Sequence, residues 1–247
     1  MLTAAQRERV EVVLVSPRNP LNIGAAARTM ANFGFAHLAV SAPYAPHWRE
    51  AKSAVGAPGL LATARESESL REALNDCTFV AGTGTLTHRK PEQPVVSLAA
   101  LGALFARELE RGGRCALVFG GEKHGLTRDD LAFCHVLVEI PTEPSQPSMN
   151  LGQAVAVCLY ELIRPDSATP GTKGSGGAHA AATSAQLERL AELIEQTMAA
   201  ARYSPAAMQD ANRHDLRLLL RRLSLSPADL RRVLGLFRRI LWRLGRR

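Results

Sequence analysis

The chain has 247 residues, 46% of them apolar and 5% aromatic, with a formal net charge of +7. This composition excludes a disordered tail and a disulfide-stapled mini-protein, and predicts a soluble globular chain of one or two domains. Cys77, Cys115, Cys134 and Cys158 form no C-x-x-C pair, so neither a zinc site nor a disulfide framework is signalled and buried, reduced thiols are expected. No apolar run reaches the roughly 18 to 20 residues of a membrane span. Residues 1–7 lack the apolar core of a secretion signal, so a cytoplasmic protein without metal is expected.

The charge is unevenly placed. Residues 212–247 hold eleven arginines against Asp215 and Asp229, a net +9, whereas residues 1–211 carry −2. Such a tail is either a surface for a polyanion, nucleic acid first because Arg pairs bidentately with phosphate, or a solvated basic helix face.

From the N-terminus, short apolar runs alternate with helical patterns. A strand is predicted at Val12-Val13-Leu14-Val15, a helix near 22–34 and a strand at Leu38-Ala39-Val40. A helix near 67–75 leads to a strand at Thr78-Phe79-Val80-Ala81, and a helix near 97–110 to one at Ala116-Leu117-Val118-Phe119. The strand Val136-Leu137-Val138-Glu139-Ile140 precedes a helix near 148–163. This alternation predicts an α/β fold, a mostly parallel sheet covered on both faces.

The pattern stops at Arg164-Pro165. Residues 165–183, dominated by Pro, Gly, Ser, Thr and Ala, bury too little apolar area to offset ordering and read as a flexible linker between residues 1–164 and a helical unit, 184–247. Thr183 and Gln186 have capping-box spacing, and Leu187, Leu190, Ile194 and Met198 form one stripe. A second helix is expected to pack through Leu216, Leu219, Leu220 and Leu223. A third starts at Ser226-Pro227 and carries Leu230, Val233, Leu234, Phe237 and Leu241. The remaining faces are mostly arginine.

Three segments place glycine, asparagine and charge directly after strands, where open α/β sheets bind ligands. In Asn19-Pro20-Leu21-Asn22-Ile23-Gly24-Ala25-Ala26-Ala27-Arg28, Asn22 as helix cap would put Gly24 and Arg28 on one face, with space beside the guanidinium; the alanines would let the helix approach the sheet. The same residues also fit an ordinary capped helix with a surface arginine. In Phe119-Gly120-Gly121-Glu122-Lys123-His124-Gly125-Leu126, paired glycines allow positive φ and bring backbone against a flat ligand, while Glu122 can accept from nearby amides or Arg. His124 there is either a solvated loop residue or a base. The third segment, Ile140-Pro141 to Ser148-Met149-Asn150-Leu151, is a loop opening a helix. The sequence contains no G-x-x-x-x-G-K-[ST], no G-x-S-x-G, no H-E-x-x-H and no G-x-G-x-x-G after its first strand, which removes support from nucleotide hydrolysis, esterase, zinc-hydrolase and dehydrogenase chemistry.

Taken in order, Asn22-x-Gly24-x-x-x-Arg28, Leu117-Val118-Phe119-Gly120-x-Glu122-x-x-Gly125-Leu126, and Ile140-Pro141 with Ser148-x-Asn150 resemble the three signature motifs of the SpoU-type RNA ribose methyltransferases of the SPOUT superfamily. The extension Met30-Ala31-Asn32-Phe33-Gly34 and the arginine-rich tail resemble the TrmJ branch, which methylates C or U at position 32 of the tRNA anticodon loop. Met149 replaces the usual Leu, a volume-conserving change. The resemblance implies a deep C-terminal trefoil knot, a homodimer with its active site completed across the interface, and tRNA as partner. It implies S-adenosylmethionine held by Thr83, Gly84, Thr85, Gly120, Ile140, Pro147, Ser148 and Met149. The resemblance implies Arg28 as the essential residue, assigned there as the base after activation by the target phosphate. Because arginine normally stays protonated, Arg28 is expected instead to grip that phosphate and stabilise the developing alkoxide, with Asn22, Ser148 and Asn150 orienting the ribose hydroxyl and Glu122 holding Arg28 or a loop. Arg217, Arg221, Arg222, Arg231, Arg232, Arg238 and Arg239 are the tail's candidates for RNA phosphate contact. Other readings are a SpoU-type enzyme for another tRNA or rRNA site, an inactive RNA-binding homologue, and a nicotinamide oxidoreductase, which the missing glycine fingerprint disfavours.

Overall fold

The computed structural model describes residues 1–84, 91–164, 181–203, 205 and 208–245. A short helix α1 (Ala4–Arg7) precedes β1 (Val10–Val15), α2 (Pro20–Phe33) and β2 (His37–Ser41). A 3-10 turn at Trp48–Glu50, then α3 (Pro58–Thr63), β3 (Arg65–Ser67) and α4 (Leu70–Ala73), lead to β4 (Phe79–Thr83). Next come β5 (Val95–Ser97), α5 (Leu98–Glu110), β6 (Cys115–Phe119), α6 (Arg128–Leu131), β7 (Val136–Glu139) and α7 (Leu151–Ile163). The tail forms α8 (Ser184–Ala200), α9 (Gln209–Leu223) and α10 (Pro227–Leu244).

The strands form one parallel sheet in the order β3-β2-β1-β6-β4-β7-β5. Side chains alternate across a strand, so the continuous apolar run of β1 feeds two cores. Val10, Val12 and Leu14 pack with Ile23, Met30, Phe105 and Leu159 on one face, while Val13 and Val15 pack with Leu74, Cys77 and Leu137 on the other. The three-residue edge strands β3 and β5 go unsignalled in the sequence because they are too short to show a period, and β3 is polar as well; Arg65 of β3 pairs with Glu11 of β1 at 2.6 Å. All four cysteines are free and buried. Burial, with smaller contributions from nearby charges, pushes the thiols of Cys77, Cys134 and Cys158 up to about 12.

Helix α2 is capped by Asn19 and not by Asn22: the Asn19 side chain accepts from Leu21 N at 2.9 Å, and Pro20 occupies the first turn, where its missing N–H costs nothing. The helix ends at Gly34, which takes the left-handed conformation at φ 72°. Ala26 and Ala27 are buried, while Ala25 faces α7, where a Cβ on Gly152 would come within 2.8 Å of its methyl carbon. Gly24 does not make room for Arg28. A Cβ there would meet Ser53 Oγ at 2.2 Å and Ala54 N at 2.9 Å, so glycine lets the 51–54 turn pack on α2.

The tail helices enclose Leu187, Leu190, Ile194, Leu220 and Leu230, and Thr183 with Gln186 forms the expected capping box on α8. Leu219 and Leu223 are exposed, contrary to the expected stripe of α9. In their place α9 buries His214, Leu218 and Arg221, and two of these touch the body: His214 Nε2 lies 3.2 Å from Glu92 Oε1 and Arg221 Nε donates to Phe133 O at 2.9 Å. The linker reading falls mostly on residues 165–180, outside the described residues. Its last part is packed: Ala182 is buried with its N–H on Leu225 O, and Ser184 N donates to Cys77 O at 2.8 Å. Among the described residues no helix is long and apolar enough to cross a membrane.

Candidate active site

Strands β1, β6, β4 and β7 are parallel neighbours, so the segments that follow them converge at the carboxyl ends of the strands. After β6, the chain doubles back through a bridge between Gly121 and Gly125, with Gly125 N donating to Gly121 O at 2.9 Å. Positive φ is used only at Gly125 (φ 65°), not at the paired glycines. Those are required for close approach: a Cβ on Gly120 would sit 2.0 Å from the carbonyl carbon of Gly125, and one on Gly121 2.6 Å from Ser16 O.

This turn presents Glu122 to the start of α2. Its carboxylate accepts from Arg18 N (2.8 Å), Asn19 N (3.0 Å) and Asn22 Nδ2 (2.9 Å). Asn22 Oδ1 in turn accepts from Asn150 Nδ2 at 2.9 Å, and Asn150 Oδ1 caps α7 by accepting from Gly152 N at 2.9 Å. Both ends of this chain are unambiguous, a carboxylate that only accepts and an N–H that only donates, so the orientation of both amides follows. Burial pushes the Glu122 carboxyl up, but the hydrogen bonds from Asn22, Arg18 and Asn19 outweigh it and hold the group below the usual carboxylate range. Glu122 therefore anchors a loop, and its bonds go to the α2 entry and not to Arg28.

Beside this network lies a cavity of about 660 Å³ lined by Asn22, Thr83, Gly84, Gly120, Glu122, Ile140, Pro147, Ser148, Met149 and Asn150, among others. Thus the described candidates for cofactor and hydroxyl contact share one cavity; Thr85 lies outside the described residues. The Thr83 hydroxyl is buried and donates to Val118 O at 3.0 Å, which ties β4 to β6. Glu139 and Thr142 also line the cavity and escaped the sequence reading. The exposed, charged end of the otherwise apolar β7 was the available signal for Glu139.

Arg28 is exposed on α2 and does not line the cavity. It shares the outer face of the helix with Leu21 and Asn32, both exposed, and Tyr160 of α7 is exposed beside Phe33, with ring centroids 6.3 Å apart.

Two of the tail's candidate arginines are engaged within the protein. Arg221 is 2% exposed, donates to Phe133 O and pairs with Glu188 at 3.3 Å, so it is not a phosphate contact. Arg217 pairs with the same Glu188 at 3.0 Å and stacks over Phe133 at 4.7 Å. A helix wheel assigns arginine to the wet face by type, whereas a buried glutamate partner reverses that assignment. Arg222, Arg231, Arg232, Arg238 and Arg239 are exposed; Arg232 pairs with Asp229 at 3.2 Å, and Arg239 stacks over Trp242 at 4.5 Å.

The chain matches a family model, relatives among known proteins and solved structures. The family model described as SpoU rRNA Methylase matches residues 9–160. The chain is 40% identical over 156 residues to the tRNA (cytidine/uridine/adenosine-2′-O-)-methyltransferase TrmJ of Pseudomonas aeruginosa, a match covering 63% of this chain and 60% of that protein. It is 35% identical over 156 residues to the tRNA (cytidine/uridine-2′-O-)-methyltransferase TrmJ of Pectobacterium atrosepticum, covering 63% and 64%. The matches therefore span under two thirds of these relatives. Among solved structures, TrmJ from Z. mobilis aligns with a TM-score of 0.79 at 27% identity, over 93% of this chain and 98% of that one.

Proposed function

This chain belongs to the SpoU rRNA methylase family, and we propose that it transfers a methyl group from S-adenosylmethionine to a ribose 2′-hydroxyl of tRNA, at C or U in position 32 of the anticodon loop. The observation that carries the reading is the hydrogen-bonded chain Glu122–Asn22–Asn150, which joins all three candidate segments at the rim of one cavity. The names of the relatives support tRNA as substrate and differ in whether adenosine is accepted.

The cavity fits the cofactor. Its volume of about 660 Å³ is in the range of small-molecule sites. Gly84 lines it, and a Cβ there would meet no protein atom within 4 Å, so that wall lacks a side chain where an extended ligand can lie against backbone. Thr83, Gly84, Thr85, Gly120, Ile140, Pro147, Ser148 and Met149 are the residues assigned to hold it. When bound, it supplies an electrophilic methyl on a sulfonium whose leaving group is a neutral thioether, so no acid is needed.

The chemical demand falls on the hydroxyl. Asn22 and Asn150 each have their amide oxygen and one N–H engaged. What remains on each is an N–H, able to orient the ribose or stabilise a developing alkoxide but not to take its proton. Ser148 Oγ, exposed in the cavity lining, can accept a hydrogen bond from the hydroxyl and pass the proton towards water. Glu122 is a poor base because its carboxyl is held below the usual range. Arg28 carries the planar guanidinium fork that matches phosphate and is assigned to grip it. Its place outside the cavity supports a homodimer in which a second copy completes the site, packed on the α2–α7 face that carries Leu21, Arg28 and Tyr160.

We assign residues 1–164 to this chemistry in a trefoil-knotted domain, 165–183 to a connection, and 184–247 to tRNA affinity, in a cytoplasmic enzyme. The packing of α7 back against α2, through Ala25 and Gly152, supports the knot. Incubating the full chain with methyl-labelled S-adenosylmethionine and unmodified tRNA, then mapping the label by nuclease digestion, tests the reading. Label in a 2′-O-methyl nucleotide of the anticodon loop is expected; label on a base, or none, overturns it.

A further inference from the structure

The loops leaving β1 and β2 carry features that the catalytic network does not use. Ser16 and Ala42 occupy the left-handed region at φ 47° and φ 46°, which residues bearing a Cβ rarely adopt. Neighbouring bonds lock these turns: Ser16 N donates to Ser41 O at 2.8 Å, Ala42 N to Ser67 O at 2.8 Å, and Tyr44 N to Pro17 O at 3.1 Å. The result is a side-by-side placement of Arg18 and Tyr44, with the guanidinium carbon 4.5 Å from the ring centroid. Arg18 is pinned at its backbone to Glu122, a residue of the cavity wall. Although held this firmly, Tyr44 is 69% exposed and Arg18 is exposed beside it.

We propose that Arg18 and Tyr44 form a ledge on which an unpaired base of the RNA substrate stacks, next to the ribose presented to the cavity. The proposal rests on the reading of this site as an RNA ribose methyltransferase. A rigid aromatic ring bearing a cation offers a planar surface for any base and a donor fork for its phosphate. A target ribose in a single-stranded loop has unstacked neighbours that need such a surface. The ledge grips without reading sequence, because every base has a π face. Two strained turns are a costly way to display an ordinary surface pair, and they stand at the carboxyl ends of β1 and β2, the side of the sheet on which the cavity lies.

The test compares the full-length protein with Tyr44→Ala, Tyr44→Phe and Arg18→Ala, using methyl transfer to an anticodon stem-loop. Tyr44→Ala is expected to raise KM for RNA about tenfold or more, with kcat and calorimetric S-adenosylmethionine affinity unchanged. Tyr44→Phe retains the π face and should behave as wild type, and Arg18→Ala should raise KM as well. A stem-loop with an abasic nucleotide beside the target should abolish the difference between wild type and Tyr44→Ala. Wild-type KM in Tyr44→Ala, or a parallel loss of cofactor affinity, overturns the ledge. A wild-type chain that binds S-adenosylmethionine but methylates no RNA overturns the reading of the site itself.

Discussion

Glu122 and Arg28 show how a charged residue's role follows from its neighbours. Glu122 collects two backbone N–H groups and one side-chain amide, so its charge holds the entry of α2 against the Gly120 turn. Its depressed carboxyl makes this anchoring complete above the usual carboxylate range and lost as pH falls through the depressed value. Arg28 has no place in that network and lies outside the cavity, and the proposed mechanism gives it the RNA phosphate. Arg28→Ala is therefore expected to lower methyl transfer by at least about 100-fold, the scale of a lost oxyanion donor, with S-adenosylmethionine affinity nearly unchanged. A labelled-methyl assay with calorimetry decides it, and near-wild-type turnover would remove Arg28 from the mechanism. At this scale the identities of Asn22, Glu122 and Asn150 were legible, whereas their mutual bonds were not: more than a hundred residues separate Asn22 from Asn150, and spacing along a chain carries no distance between strand ends.

Elements are joined by groups that local patterns treat as surface. His135 joins β7 to β4: its Nδ1 accepts from Val80 N at 3.0 Å and its ring stacks on Phe79 with centroids 5.3 Å apart. Burial, helped by Arg221, lowers its pKa to about 3, so it is neutral in the fold. Between about 3 and the unfolded value near 6.5 the unfolded chain binds the extra proton, so stability falls as pH drops through this window. His135→Asn, which retains an acceptor without a titrating ring, should be less stable at pH 7.5 and lose much less on going to pH 5; an unchanged melting-temperature slope would show that other groups set it. Arg221 joins α9 to the body in a similar way. Arg221→Ala leaves Glu188, 2% exposed, with Arg217 as its remaining ion-pair partner among the described residues and Phe133 O without its donor, and should cost about 1.5–3 kcal/mol in chemical denaturation, the worth of a hydrogen bond to a charged group. A cost below about 1 kcal/mol would mean that the pair is not what docks the tail.

For the whole molecule, the tail's net charge of +9 divides into arginines that hold the bundle to the body and arginines that face solvent. Binding of tRNA should weaken with salt, and Ala at Arg222, Arg231, Arg238 or Arg239 should each reduce the log–log slope by roughly one unit if that residue meets a phosphate. Conservative loss of Arg217, already paired with Glu188, should leave the slope alone; fluorescence titrations across a salt series distinguish the two sets, and equal slopes throughout would make the basic face a solvated one. The α2–α7 surface is expected to join two copies. Light scattering should report twice 26.6 kDa, and a monomer at assay concentration would require Arg28 to reach the RNA from its own chain.

The sequence by itself determined the layered α/β architecture, because continuous apolar runs separated by helical periodicity have one favourable solution, a parallel sheet buried on both faces. It also determined the three chemistry-bearing segments, since each sets asparagine or glycine in the stretch that follows an apolar strand run. Tertiary structure alone decided which glycine serves a turn and which a close approach. It made Asn22, which the local Asn19 cap leaves free, the bridge between Glu122 and Asn150. It also turned Arg221 inward onto Glu188 and set Arg18 beside Tyr44. Each of these depends on a partner remote in the chain, and the identity of a residue states what it can bond to without stating what the fold brings within reach.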